Sequence, residues 1–166
     1  MKNYYPLAHK NEWHYKQKNG NIYSNIITAT DGNRFTIHNS ATKTSYIVMT
    51  DGNLITTDVL EAGSFQPWIA NDFKKNDNWA VKFRSAGLDC LLLMIMTVKE
   101  IDITKEVEGK IYHDVMCVEA ENKMMVNSGL VSLNFFTQYY YADGIGLVLT
   151  TSSAGDSHAL INYKLN

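Results

Sequence analysis

The sequence predicts an all-β chain, an antiparallel meander curled into a half-barrel or partly open barrel of about ten to twelve strands. Three observations predict it. The 166 residues hold ten tyrosines and only two prolines, with abundant Thr, Val and Ile, the side chains that suit a pleated surface. Turn signals containing Gly recur at intervals of about ten to fifteen residues. No segment combines helical periodicity with good caps. The length suits one domain, residues 1–166, large enough to bury a core without staples.

The elements follow in order. In "EWHYKQK" Trp13 and Tyr15 share one face, and Glu12, His14 and Lys16 the other. Asn19-Gly20-Asn21 turns into "IYSNIITA". The tetrapeptide "TDGN" then occurs twice, at Thr30–Asn33 and Thr50–Asn53. Asp-Gly between β-rich flanks predicts a two-residue type I′ hairpin each time. That register sets Thr30 against Asn33 and Ile26 against Ile37, then Met49 against Leu54 and Val48 against Ile55. "AGSFQPWIANDF", residues 62–73, reads as a loop or one helical turn, because Pro67 breaks a central strand.

"WAVKFR" alternates, with Trp79, Val81 and Phe83 inward and Lys82 and Arg84 outward. A turn at Ala86-Gly87 follows. Leu91–Thr97 is apolar at every position, and its β-branched continuation makes it a long strand covered on both faces. Gly109 turns the chain into "KIYHDVMCVEA". There, alternation sets Tyr112, Met116 and Val118 on one face and Ile111, Val115 and Cys117 on the other. Asn127-Ser128-Gly129, Asp143-Gly144 and Gly155-Asp156 supply the remaining corners. Gly146 permits a bulge or a close backbone approach.

Composition excludes several classes. The net charge of −2 gives no electrostatic footprint for nucleic acid or anionic lipid. The most apolar run, residues 88–98, is about half the length a spanning helix needs. The opening residues lack the apolar stretch of a signal peptide, so the chain as given reads as cytoplasmic, or as an envelope protein if a leader has been removed. Cys90 and Cys117 are the two cysteines. They cannot form a disulfide framework and read as buried free thiols, with a single bridge open if the sheet brings them together.

Several phrases occur in a familiar order: "YYPLAHKNEWHYK", "NDNWAVKF", "VEGKIYHDVMCVEA", "YYYADGIGLV" and "ALINYKL". Together they resemble a family of small bacterial β-rich proteins, often exported or lipoproteins, some called TapB-like. The resemblance implies a curved antiparallel sheet and a cell-envelope address. It implies no catalytic residues. The chain departs from the pattern in lacking a leader and a lipid-bearing cysteine, and in reading Val107-Glu108-Gly109 where the family often has Pro-Ala-Gly.

Candidate chemistry is sparse. TDGN offers one carboxylate per copy, too few for a calcium loop, and "NDFKKNDN" lacks the central Gly and closing Glu. His9, His14, His38, His113 and His158 show no metal-ligand spacing. Ser157 and His158 point to opposite faces of one strand, so they do not form a dyad. Asp102, Glu106, Glu108, Asp114, Glu119 and Glu121 read as a solvated acidic face. No metal, cofactor or catalytic residue is assigned. The remaining lead is the aromatic supply. A concave aromatic face, with Trp13, Trp79, Phe83 and Tyr140 as candidate ligand-binding residues, would hold an apolar small molecule or a protein partner. The rival reading is an enzyme using a cleft carboxylate or histidine, and edge-strand pairing into a homodimer is a third.

Overall fold

The computed structural model describes residues 1–166 apart from Ala86, Leu88 and Ser128. Its strands are β1 (Glu12–Gln17), β2 (Ile22–Asp31), β3 (Arg34–Asn39), β4 (Thr44–Asp51), β5 (Leu54–Thr57) and β6 (Gln66–Ala70). Then come β7 (Asn78–Arg84), β8 (Leu91–Val107), β9 (Lys110–Val126), β10 (Gly129–Ala142), β11 (Gly146–Ser152) and β12 (Ser157–Lys164). All twelve join one antiparallel sheet in the order β6-β5-β4-β3-β2-β1-β12-β11-β10-β9-β8-β7. The fold is all-β, a nearly closed barrel with no helix among the described residues.

The order explains the shape. β1 pairs with both β2 and β12, so the two ends of the chain meet in the middle of the sheet. Two meanders run outward from that junction and arrive at β6 and β7, which follow one another in sequence. No backbone ladder joins β6 to β7. This seam is bridged by side chains instead. Gln66 Oε1 accepts from the Lys82 amide at 3.2 Å, and Glu61 Oε2 accepts from the Arg84 amide at 3.0 Å. Unpaired edge amides are thereby capped from within the chain.

The expectation of a loop or helical turn around Pro67 is corrected. Gln66–Ala70 is a strand that pairs with β5, with an irregularity between Ile55 and Thr56. A proline cannot donate to a ladder, but β6 is an edge strand with one partner, so the missing donor costs little.

The two TDGN hairpins form, one residue out of the expected register. Asp31 pairs with Arg34 and Asp51 with Leu54, so the loops are Gly32-Asn33 and Gly52-Asn53. Gly32 and Gly52 have φ of 57° and 59°, whereas neither Asn is among the positive-φ residues. Glycine at the first central position is the type II′ arrangement, which needs only one left-handed residue. The slip has consequences, because one residue exchanges the two faces. Ile27, not Ile26, opposes Ile37, and both are fully buried. Val48 opposes Thr57, and Ile55 opposes Thr50.

β8 and β9 form the longest hairpin. Glu108 and Gly109, with φ of 50° and 76°, make a type I′ turn between Val107 and Lys110. Two left-handed aspartates interrupt the ladder, Asp102 (φ 54°) and Asp114 (φ 52°). Four residues of β9 (Tyr112 to Val115) span three of β8 (Ile103 to Lys105). The extra residue brings Tyr112 into phase with Val115, correcting the expected grouping with Met116 and Val118. Ile111 is left exposed, while Tyr112 and Val115 are buried.

Burial follows the inward faces. Ile27, Ile37, Val48, Ile69, Val81, Met96, Val98, Val118 and Leu160 are all at or below 1 % exposure, and such side chains stabilise by about 1.5–3 kcal/mol each. Cys117 is buried and Cys90 half-buried, and both are free thiols. The expected corners at Ala86-Gly87 and Asn127-Ser128-Gly129 lie in part outside the described residues, at Ala86 and Ser128.

The seam predicts a local signature. Replacing Gln66 and Glu61 together by Ala should abolish hydrogen-exchange protection of the Lys82 and Arg84 amides. Each lost bond should cost about 0.5–1.5 kcal/mol in urea unfolding, with protection in β8 and β9 retained.

An aromatic pocket inside the barrel as the candidate functional site

The largest group of aromatic side chains gathers around a pocket within the barrel. The alternation of β1 points Trp13 and Tyr15 inward, and β4 contributes Tyr46 and Val48 in the same way. β6 adds Trp68, β10 adds Tyr139 and Tyr141, and β11 adds Gly146 and Leu147. Tyr5, from the segment before β1, completes the ring, with Asn25, Ile55, Thr57 and Val59 between. The free interior space is about 90 Å³, room for roughly six to nine waters at about 10–15 Å³ apiece.

Internal hydrogen bonds hold these rings. Trp13 Nε1 donates to the Ile145 carbonyl at 2.7 Å, and Tyr15 Oη donates to the Leu147 carbonyl at 2.9 Å. Trp68 Nε1 donates to Tyr141 Oη at 2.8 Å, across the interior from β6 to β10. Trp68 also meets Tyr139 edge-on at 5.6 Å, and Tyr5 meets Trp13 edge-on at 6.3 Å. These are favourable quadrupole arrangements. Thr57 Oγ1 is committed to the Ile47 carbonyl at 2.9 Å.

Gly146 sets the floor. Its φ is 107°, and a Cβ there would lie 3.2 Å from Trp13 Nε1. The glycine therefore serves both the close approach and the bulge between Tyr140 and Tyr141 in the ladder to β11, as expected from "GIG".

The segment before β1 closes one side. Lys2 Nζ lies 2.9 Å from Asp114, 3.1 Å from Asp102 and 3.9 Å from Asp143. The Asn3 amide donates to Asp143 and the Tyr4 amide to Asn71 Oδ1. Asn11, 1 % exposed, donates to the Pro6 carbonyl and accepts from the Asn166 amide. The two left-handed aspartates thus present their carboxylates to a lysine that tethers the segment carrying Tyr5.

The pocket is electrically neutral. No carboxylate, histidine, lysine or cysteine lines it among the described residues. Burial pushes the phenols of Tyr5, Tyr15, Tyr46 and Tyr141 well above their usual value, and that of Tyr139 up to about 12. Loss of hydration disfavours the phenolate.

Of the four residues singled out from sequence, Trp13 lines the pocket. Trp79 and Phe83 face inward on β7, paired with Met96 and Leu92. Trp79 packs on Phe73 at 4.4 Å. Neither reaches the pocket. Tyr140 lies on the opposite face of β10 from Tyr139 and Tyr141. Its ring carries Lys105 Nζ at 4.4 Å and its hydroxyl donates to Gln138 at 2.9 Å. Tyr139 and Tyr141 are two residues apart, so alternation anchored on a neighbouring inward residue would have selected them. Trp68 lay in the segment read as a loop or helical turn because of Pro67, and so had no assigned face.

The acidic side chains are engaged elsewhere. Glu108 pairs with Lys16 at 2.8 Å, Glu121 accepts from Ser132 and Glu119 from Gln138. His158 Nδ1 is 2.6 Å from Tyr23 Oη. No group of three or more His, Cys, Asp or Glu among the described residues is placed to hold a metal.

Two measurements check this geometry. Gly146→Ala should cost about 1–3 kcal/mol of stability, from left-handed strain and contact with Trp13. The raised phenols bind protons in the folded state that the unfolded chain has released at pH 10 and above. Their contribution is therefore intact below pH 10 and is lost as pH rises through the folded values, at up to about 1.4 kcal/mol per pH unit per phenol. Phenolate absorbance should rise cooperatively above pH 10, together with loss of the tertiary circular dichroism signal. Individual titration near pH 10 with the fold intact would contradict it.

No family model matches the chain, and no curated protein does. Two crystal structures share its fold. One, from Bacteroides fragilis, is described as an exported protein with a YmcC-like fold. It has 9 % identity and a TM-score of 0.59, over 99 % of this chain and 100 % of that one. The other, from Parabacteroides distasonis, is described as a lipoprotein. It has 12 % identity and a TM-score of 0.56, over 99 % of each chain. At these identities the likeness is one of fold, and this chain is similar to bacterial β-rich proteins of the exported and lipoprotein class.

Proposed function

We propose that this protein is a non-enzymatic binding module that holds a small, largely apolar group in its aromatic pocket. The observation that carries the reading is the neutral, aromatic lining from Trp13, Tyr15, Tyr46, Trp68, Tyr139 and Tyr141 around a confined space. Small-molecule sites are concave, mostly apolar and few per protein. Binding would work by burying the ligand against rings already held by internal hydrogen bonds, so that little ordering is left to be done on association. General acid–base work needs a titratable group within reach of the substrate. The lining offers only phenols that burial keeps neutral, so the enzymatic alternative finds no support in this pocket. A cell-envelope setting is part of the proposal. It is supported by the resemblance of the sequence phrases and by the descriptions of the two structural neighbours.

Dimethylbutanol, a compact branched alcohol, is a suitable first probe. On its addition the indole N–H resonances of Trp13 and Trp68 should shift saturably in heteronuclear NMR, while that of Trp79, outside the pocket, should stay. A shift at Trp79 alone, or no saturable shift with either this alcohol or its quaternary ammonium counterpart, choline, would refute the reading.

A further inference from the structure

We infer that the group this pocket selects is a quaternary ammonium. The inference rests on the binding-module reading and specifies its ligand. Three features of the lining point the same way. First, both indoles and two hydroxyls of the lining spend their hydrogen-bond donors within the protein. Trp13 and Trp68 donate at 2.7 and 2.8 Å, and Tyr15 and Thr57 each at 2.9 Å. Seven aromatic rings line the cavity, and their faces are electron-rich.

Second, no carboxylate lines the pocket among the described residues. A primary ammonium or a guanidinium carries N–H groups that would lose hydration without a charged acceptor in return. A quaternary ammonium has no N–H to satisfy and is bound by ring quadrupoles alone, the interaction that aromatic cages exploit. Third, the space is of the right scale. About 90 Å³ corresponds to roughly six to nine water-sized spheres, and a trimethylalkylammonium head has five heavy atoms. A long acyl chain or a disaccharide would not enter. Asn25, whose amide oxygen accepts from Asn39 at 2.8 Å, leaves an amide donor for an oxygen on the ligand's tether.

Choline and dimethylbutanol test this directly. They share shape and hydroxyl and differ in a nitrogen cation against a carbon, so any contribution from Asn25 cancels. Calorimetry should give choline an affinity at least about tenfold higher. Protein made with fluorinated tryptophan, which weakens the ring quadrupole at constant shape, should lose choline affinity stepwise with fluorine number and keep its affinity for the alcohol. If that protein does not fold, Tyr139→Leu should weaken choline several-fold more than it weakens the alcohol.

Equal affinities, or choline binding indifferent to both changes, would overturn the quaternary ammonium inference and leave the binding module standing. Failure of both probes to bind would overturn the two together. A further arm compares choline with short-chain phosphatidylcholine. Preference for choline identifies a free small molecule and preference for the lipid identifies a headgroup, and either upholds the cage.

Discussion

A barrel whose backbone ladder stops short of closure must be held shut by something other than the ladder. Here the decisive contact is the hydrogen bond from Trp68 to Tyr141, 2.8 Å long, which reaches across the interior from the edge strand β6 to β10. A sheet edge left free would splay, because nothing in the strand twist obliges β6 to meet β7. The indole ties that edge to the opposite wall, and the edge-on packing of Trp68 with Tyr139 fixes its angle. Gln66 and Glu61 then need only cap the β7 amides. Closure and pocket share the same side chains. The rings that hold the barrel together are the rings a ligand would meet.

That sharing explains the polar economy of the interior. Each buried indole or phenol must place its polar atom or lose on the order of 1–3 kcal/mol. Trp13 and Tyr15 meet this demand on the carbonyls of Ile145 and Leu147, where the bulge and Gly146 bring the backbone of β11 close. Lys2 works at longer range. It gathers Asp102, Asp114 and Asp143 and so anchors the segment bearing Tyr5. The two bulges that look like interruptions of β8 and β9 are the places where those carboxylates are presented.

The fold class was legible because its signals are local. Turn residues, alternation in β1 and β7, and the absence of capped helical periods are all readable within a few residues. Register was less so. "TDGN" contains both an Asp-Gly and a Gly-Asn hairpin signal, and the choice between them rests on which side chains the rest of the barrel can bury. The aspartates at the bulges, Asp102 and Asp114, likewise meet a partner distant in sequence, Lys2. Pro67 looked like a breaker because its strand's status as an edge depends on the order of the whole sheet. The candidate site was legible in kind, as aromatics on a concave face, and in part by residue, through Trp13. Tyr140 was taken where Tyr139 and Tyr141 face the cavity, a parity that "YYY" cannot reveal alone.

The most direct test of the account is a double-mutant cycle between Trp68→Phe and Tyr141→Phe, read by urea unfolding. Each substitution removes one end of the same bond. If that bond ties the edge strand to the far wall, the two losses will not add, and the coupling will be about 1 kcal/mol or more. Losses that add to within about 0.3–0.5 kcal/mol would show that the two rings act independently, and that the seam is held by something else.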